Sequence, residues 1–452
     1  MKRAKPSDPQ RLTALEATIT ELAPGGDGVA IAEIGGERRA VFVRGVATGD
    51  RVRLEVDASR RPARGRVVEL VRPGADRVAS ACAFVDRCGG CDWMQVALEA
   101  QRRAHVAHVR AALPETWRDV DIATQAAPAA LGYRVRARLH VRASGGRAIV
   151  GMNASSTRDP VEVEACVVLS PELEVARKTL GPLLEGAHGH GDAQIAMGRA
   201  KDGSARPVLE LEWSGVLAAA CYARIERAVD AGEWAGARVT GGEASRPAVI
   251  GDPTPWMMAA DGESLRLAAG GFGQASEATN AILARRVAEL ATAMIPADTT
   301  ATPPHRIVEL YAGAGNLTVM LARGRVDVTS VESSREACDA ARANVTARGL
   351  TAKIVEADAA TYVWSPATRL VVLDPPRTGA REATQSLVRT PVRNVIYVSC
   401  DAQTLGRDLA PLADLYSPIA VDTFEMFPNT SHVEIVVALE RRRGKTPRRA
   451  RT

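Results

Sequence analysis

Between residues 305 and 400 apolar, β-type runs alternate with helix-type runs, and that alternation restricts the fold more than any other feature of the chain. IVELYAGAGNLTVMLA reads as strand, glycine turn and helix; VTSVES is a strand, REACDAARANVTARG a helix and AKIVEAD a third strand. RLVVLDPPRTG is a fourth strand ending in a rigid loop, and NVIYVSC is a fifth. Parallel neighbours need a crossover connection, so repeated βα units predict a doubly wound, largely parallel α/β sheet with its site at the carboxyl ends of the strands. IAVDTFEMF and HVEIVVALE close the run as a hairpin around PNTS.

At 452 residues the chain is too long for one core, so several domains are expected. Short β-type runs separated by glycine turns predict a small β-barrel over residues 12–74, a closed sheet of the kind that binds nucleic acid. A cysteine cluster follows, then a helical pattern in LEAQRRAHVAHVRAAL (98–113). Strands YRVRARLHV, AIVGM and VLELEW and a helix near 217–230 predict a central α+β domain over 75–262. The α/β domain then spans 263–440, and 441–452 is a basic tail.

The amino-terminal MKRAKPSDPQRL is polar and no run is apolar enough to span a bilayer, which predicts a cytosolic protein without a secretory signal. Seven cysteines in that compartment argue against a disulfide framework. The net charge of +5 is uneven: residues 441–452 hold seven basic side chains and no acid, and residues 1–11 hold four and one, which leaves the body at −5. Such ends are solvated tails or draw in a polyanion through counterion release.

Gly313 and Gly315 in ELYAGAGNLT stand where a strand must turn tightly into a helix, and Thr318 replaces the third glycine of a dinucleotide fingerprint. Glu332 ends the second strand, where a carboxylate either accepts ribose hydroxyls or is simply solvated. Asp358 and Asp374 end the next two strands. Three acidic strand ends without a phosphate-binding lysine favour a cationic cofactor, and S-adenosylmethionine, with its sulfonium and amino group, fits. The two prolines after Asp374 fix the backbone that carries its carboxylate.

The glycine turn at Gly313–Thr318, DPPR (374–377), YVSC (397–400) and FPNTSHVE (427–434) occur in the order of the RNA uracil-5-methyltransferase family, which the chain resembles over nearly its whole length. GGDGVAIAEIGGERRAVFVRG resembles that family's TRAM barrel, and Cys82, Cys88, Cys91 and Cys166 resemble the cysteines with which its ribosomal-RNA branch holds a [4Fe–4S] cluster. The resemblance implies that Cys400 is the nucleophile that adds to C6 of uracil and that Glu434 is the base that removes the C5 proton. It implies S-adenosylmethionine contacts at Gln274, Tyr311, Gly313, Asn316, Glu332, Asp358 and Asp374. A cysteine at a strand end ahead of a helix meets the positive end of the helix dipole, which favours thiolate, while the adjacent Asp401 opposes it. His432 reads as a neighbour of the base. Ser276 and Asp401 depart from the family, which commonly has Asn at both positions.

Cys82, Cys88 and Cys91 are separated by five and two residues, with Cys166 far along the chain, and spacing alone suits zinc as well as iron–sulfur. RNA is the expected partner of a monomeric enzyme, ribosomal RNA first and transfer RNA as the alternative, with the target base flipped from its stack. Candidate RNA contacts are the barrel, the tails and Arg134, Arg136 and Arg138, read as outward arginines of an amphipathic strand. Cytosine-5 methylation would call for a further cysteine beside the proline motif, and a binding protein without catalysis would not need Cys400 and Glu434 together.

Overall fold

Five strands at the amino end (Leu12–Leu22, Gly28–Ile34, Glu37–Val43, Arg51–Asp57 and Ala63–Arg72) close into a barrel in the order first, second, third, fifth, fourth. The computed structural model describes residues 12–155, 157–241, 246–295, 306–324 and 327–442. Closure follows from strict alternation: in Arg51–Asp57, Val52, Leu54 and Val56 point inward while Arg51 and Arg53 face water and pair with Glu16 and Glu69.

A six-stranded sheet occupies the middle of the chain, built from Arg136–Ser144, Arg147–Gly151, His188–Arg199, Ala205–Val216, Gly236–Gly241 and Ala248–Gly251. Helices Pro171–Leu183 and Ala219–Asp230 supply Leu173, Leu180 and Ile225 to its core. Here the structure corrects the reading of the arginines. Arg136 is 8% exposed, covered by the loop whose Gly271 O it donates to, whereas Arg138 on the same face is exposed as expected.

The carboxyl-terminal sheet has eight strands. Arg306–Leu310, Asp327–Glu332, Lys353–Glu356, Thr368–Leu373 and Asn394–Ser399 run parallel in spatial order third, second, first, fourth, fifth, and the antiparallel Glu434–Arg441 and then Tyr416–Phe424 follow. Adjacent residues face opposite layers: Val308 and Leu310 pack into one apolar layer, Ile307 into the other, and all six residues of Asn394–Ser399 are buried. The order reverses between Arg306–Leu310 and Thr368–Leu373, which opens a crevice at their carboxyl ends.

The eighth strand comes from elsewhere. Ile122–Gln125 pairs in parallel with Tyr416–Phe424, and Val109, Leu113 and Trp117, in and just beyond helix Leu98–Ala112, join the core of this sheet. The expected central domain over 75–262 therefore gives up a segment to the carboxyl-terminal layer, because Val109, Leu113 and Trp117 bury their side chains in its core. Nor does the tail begin at 441: Arg441 ends the last strand, and Arg442 donates to Tyr416 O and Ser417 Oγ at 3.0 Å. The expected tails at 1–11 and beyond 442 lie outside the described residues. No helix among the described residues is long and apolar enough to cross a membrane.

Candidate active site

Strand register brings Cys400 and Glu434 to one edge. Asn394–Ser399 pairs antiparallel with Glu434–Arg441, with Ser399 opposite Ile435. Cys400 is the next residue out of one strand and Glu434 the first of the other, so both emerge at the same end of the sheet. Asp374 leaves the neighbouring parallel strand, whose Leu373 lies beside Tyr397, and its backbone N–H donates to Leu310 O at 3.3 Å. Tyr311 and the glycine turn follow Leu310 directly.

These side chains share a poorly hydrated, acidic pocket. Burial pushes the Glu434 carboxyl up to about 8, the nearby Asp374 adds to the effect, and Arg377 opposes it. Burial pushes Asp374 up to about 6. The half-buried Cys400 thiol rises to about 12, first through burial and then through Glu434, with Arg377 again opposing and Asp374 adding. Burial and the carboxyls therefore outweigh the helix dipole at Cys400 in the free enzyme. Helix Ala402–Leu409 does begin just past Cys400, but Asp401 caps it, accepting from Thr404 N at 2.7 Å. A helix end contributes only about 0.3–1 kcal/mol at such a site, less than the cost of a thiolate beside two carboxyls away from water. A cation bound in the pocket relieves all three groups at once.

The glycine turn forms the floor of the adjoining crevice. Tyr311, Gly313 and Gly315 have φ of 64°, 55° and 87°, a left-handed run that is unusual at Tyr311 and easy for glycine. A Cβ at Gly313 would meet nothing within 4 Å, so glycine is required there by backbone angle and the space above it is free. Gly313 N–H donates to Glu332 Oε2 at 2.9 Å, and Glu332 Oε1 accepts from Ser334 N at 2.8 Å. Glu332 is therefore fixed beside the turn with lone pairs left for a ligand. Asp358 lies near the Tyr311 hydroxyl, whose pKa is raised to about 12 by burial and then by that carboxylate. Gln274 is buried two residues before Ser276, which caps helix Glu277–Met294 by accepting from Thr279 N at 3.3 Å. Serine supplies a capping oxygen here about as well as asparagine would.

Asn316 exchanges reciprocal amide hydrogen bonds with Asn280 at 2.9 and 3.0 Å, so it ties the turn to helix Glu277–Met294. Beneath the turn, the buried Glu309 accepts from Thr318 Oγ1 at 2.6 Å and Ser330 Oγ at 2.8 Å. Neither Asn280 nor Glu309 was singled out from sequence, although an acid inside the apolar run IVEL was the available signal for Glu309. His432 packs edge-on to Phe427 with ring centroids 6.1 Å apart, and Arg134 lies over the other side of that motif, 5.7 Å from the Phe427 centroid.

Cys82, Cys88, Cys91 and Cys166 border one cavity of about 640 Å³, counting the part open to solvent. Burial pushes Cys91 up to about 12, and the other three cysteines add to it. Backbone N–H groups of Phe84 and Gly90 donate to the sulfurs of Cys82 and Cys88, each at 3.4 Å. Apolar walls, four thiols around one space and N–H donors to sulfur suit a thiolate-held inorganic group. Among the described residues no group of three or more His, Cys, Asp or Glu side chains is set to hold a metal ion.

Comparison with known proteins agrees with this geometry. The profile described as tRNA (Uracil-5-)-methyltransferase matches residues 360–442, and one described as Methyltransferase small domain matches 280–395. The 23S rRNA (uracil(1939)-C(5))-methyltransferase RlmD of Halomonas elongata is 33% identical over 94% of this chain and 89% of its own. The protein of the same name from Chromohalobacter salexigens is 31% identical over 96% and 90%. The crystal structure of Pyrococcus abyssi tRNA (uracil-54, C5)-methyltransferase in complex with S-adenosyl-L-homocysteine superposes with a TM-score of 0.70 over 94% of this chain and all of that one, at 19% identity, and so shares its fold. With relatives 31–33% identical matched over more than nine-tenths of its length, the chain belongs to the family of RNA uracil-C5-methyltransferases.

Proposed function

We propose that this enzyme methylates C5 of a uridine in 23S ribosomal RNA, taking the methyl group from S-adenosylmethionine. The observation that carries the reading is the register that seats Cys400 beside Glu434, with Asp374 next to both. C5 of uracil is a weak nucleophile. The Cys400 thiol gives its proton to solvent as the cationic cofactor binds, and its sulfur adds to C6 to make the ring an enolate. C5 then attacks the methyl carbon and S-adenosylhomocysteine leaves, after which Glu434 takes the C5 proton, the C6–S bond breaks and the thiolate departs. S-adenosylmethionine supplies an electrophilic methyl on a sulfonium, and its positive charge suits a pocket whose carboxyls are raised by burial. Glu332 receives the ribose, Asp358 and Tyr311 flank the adenine, and Gln274 and Asp374 reach towards the methionine end. The first five strands act as a TRAM barrel for RNA.

Cys82, Cys88, Cys91 and Cys166 would hold the [4Fe–4S] cluster, which fastens distant parts of the chain; methyl transfer itself moves no electrons. Protein purified without oxygen is expected to be brown with broad visible absorbance, and serine at any one of the four positions should remove the colour. A colourless protein carrying zinc would overturn the cluster.

Phe272, 78% exposed between Gly271 and Gly273, is two residues from Gln274 and offers a flat apolar face to solvent. Stacking on a base is worth about 1–3 kcal/mol, so Phe272→Ala should raise KM for RNA about 10-fold and leave S-adenosylmethionine affinity unchanged. The substrate itself is tested by mapping 5-methyluridine in ribosomal and transfer RNA from cells lacking the gene. A site lost from 23S RNA supports the proposal, and a site lost only from transfer RNA replaces it with the tRNA reading.

A further inference from the structure

The loop that delivers Glu434 is held mainly by a remote part of the chain. Residues 425–433 join strands Tyr416–Phe424 and Glu434–Arg441, a connection too long for a tight hairpin turn to fix. The cysteine-bearing segment fixes it instead. Asp92, which follows Cys91, accepts from Ser431 N at 2.8 Å and from Ser431 Oγ at 2.6 Å. Trp93 N donates to Asn429 O at 3.0 Å, Gln101 Oε1 accepts from Asn429 N at 2.9 Å, and Tyr133 Oη donates to Pro428 O at 3.3 Å.

Asn429 has a φ of 67°, a conformation that persists at a residue bearing a side chain only when its surroundings impose it. Asp92 is braced in turn. Trp93 is wholly buried and its indole N–H donates to Gly26 O of the barrel, where any side chain on Gly26 would collide with the Asp92 carboxylate. Only His432 and Val433 separate Ser431 from Glu434, so freedom at Ser431 becomes freedom of the base.

We propose that Asp92 is a positioning residue for proton abstraction: through Ser431 it holds Glu434 at the C5 proton of the methylated, Cys400-bound uracil. This rests on the reaction proposed above. It acts on one step alone, since Cys400 and the glycine turn stand on other strands. With Asp92 removed, the C6–S bond forms and the methyl is transferred as before, but the C5 proton stays and the thiolate cannot leave.

The test compares wild type, Asp92→Ala, Asp92→Asn and Ser431→Ala as purified holoproteins, on RNA carrying uridine or 5-fluorouridine. Fluorine cannot be removed as a proton, so the fluorinated RNA should trap wild type and Asp92→Ala at rates within about threefold, while turnover of Asp92→Ala on uridine falls about 100-fold, the scale expected for about 1 Å of misplacement. Asp92→Ala should also accumulate a methylated covalent adduct on ordinary uridine, stable to denaturing electrophoresis, and show faster amide exchange across 428–434. Asp92→Asn keeps one acceptor and should restore most turnover, and Ser431→Ala should show the same adduct more weakly, which preserves the test if Asp92→Ala does not fold. An Asp92→Ala protein that traps on 5-fluorouridine without an adduct on uridine overturns the proposal alone, as does one that loses both. Failure of wild type to trap at all overturns the parent reaction and this inference with it.

Discussion

Cys400→Ala should abolish methyl transfer, lowering turnover by about 10⁴-fold or more, because without addition at C6 the C5 carbon has no means of attacking a sulfonium methyl. The variant should fold: Cys400 is half-buried at the end of its strand, and the neighbouring helix keeps its Asp401 cap. It should retain affinity for S-adenosylmethionine, since the turn at Gly313, Glu332 and Asp358 is untouched. It should form no adduct with 5-fluorouridine RNA, the result that separates lost chemistry from lost binding. Residual methylation within tenfold of wild type would place the nucleophile elsewhere. Because burial and the adjoining carboxyls keep this thiol protonated in the free enzyme, its alkylation at pH 8 should also be slower than that of an ordinary exposed cysteine.

Glu434→Gln should have a different signature. Loss of a general base costs about 10²–10⁴-fold, and here the cost falls after methyl transfer, so the variant should hold a methylated adduct on ordinary uridine. In the wild-type enzyme Glu434 must be ionised to accept the proton, and burial has raised its carboxyl to about 8. The ratio kcat/KM, which reports the free enzyme, should therefore climb with pH towards about 8 and level off above it, a limb missing from the residual activity of the Gln variant. The same shift has a consequence for stability. The folded state holds this proton more tightly than the unfolded chain, whose carboxyl titrates near 4.5, so its contribution is complete below about 4.5 and is lost as pH rises through about 8. Glutamine stays neutral in a similar shape. The variant should be more stable than wild type at pH 8.5, by a few kcal/mol and at most about 5, with the difference gone at pH 4.5. A buried ionisable carboxyl thus carries a stability cost above its folded-state pKa.

Both effects depend on features of unequal visibility in the sequence. The parallel sheet was legible because strands buried on both faces leave continuous apolar runs, and NVIYVSC and RLVVLDPP are such runs. Cys400, Asp374 and Glu332 were legible because each ends such a strand, where crevices form. The barrel was legible from alternation in segments such as DRVRLEV. Asn280 and Asp92 were not. Each acts through a partner distant in the chain, Asn316 for one and Ser431 for the other, and no local periodicity reports a hydrogen bond across 36 or 339 residues. Arg136 misled because alternation gives the face of a side chain but not whether a loop covers it, and here the GGFGQ loop lies over that face.

By itself the sequence determined the element types, the glycine turn and the residues able to do the chemistry, since these follow from side-chain period, backbone freedom and functional-group identity. Only the tertiary structure decided that Ile122–Gln125 completes a sheet built almost 200 residues later, that Cys400 keeps its proton in the free enzyme, and that the cysteine segment clamps the loop before Glu434. Those outcomes depend on burial and on pairing between remote segments. The free energy of a charge or a strand edge is set by what surrounds it in space, and the order of residues along the chain does not specify that until the chain has folded.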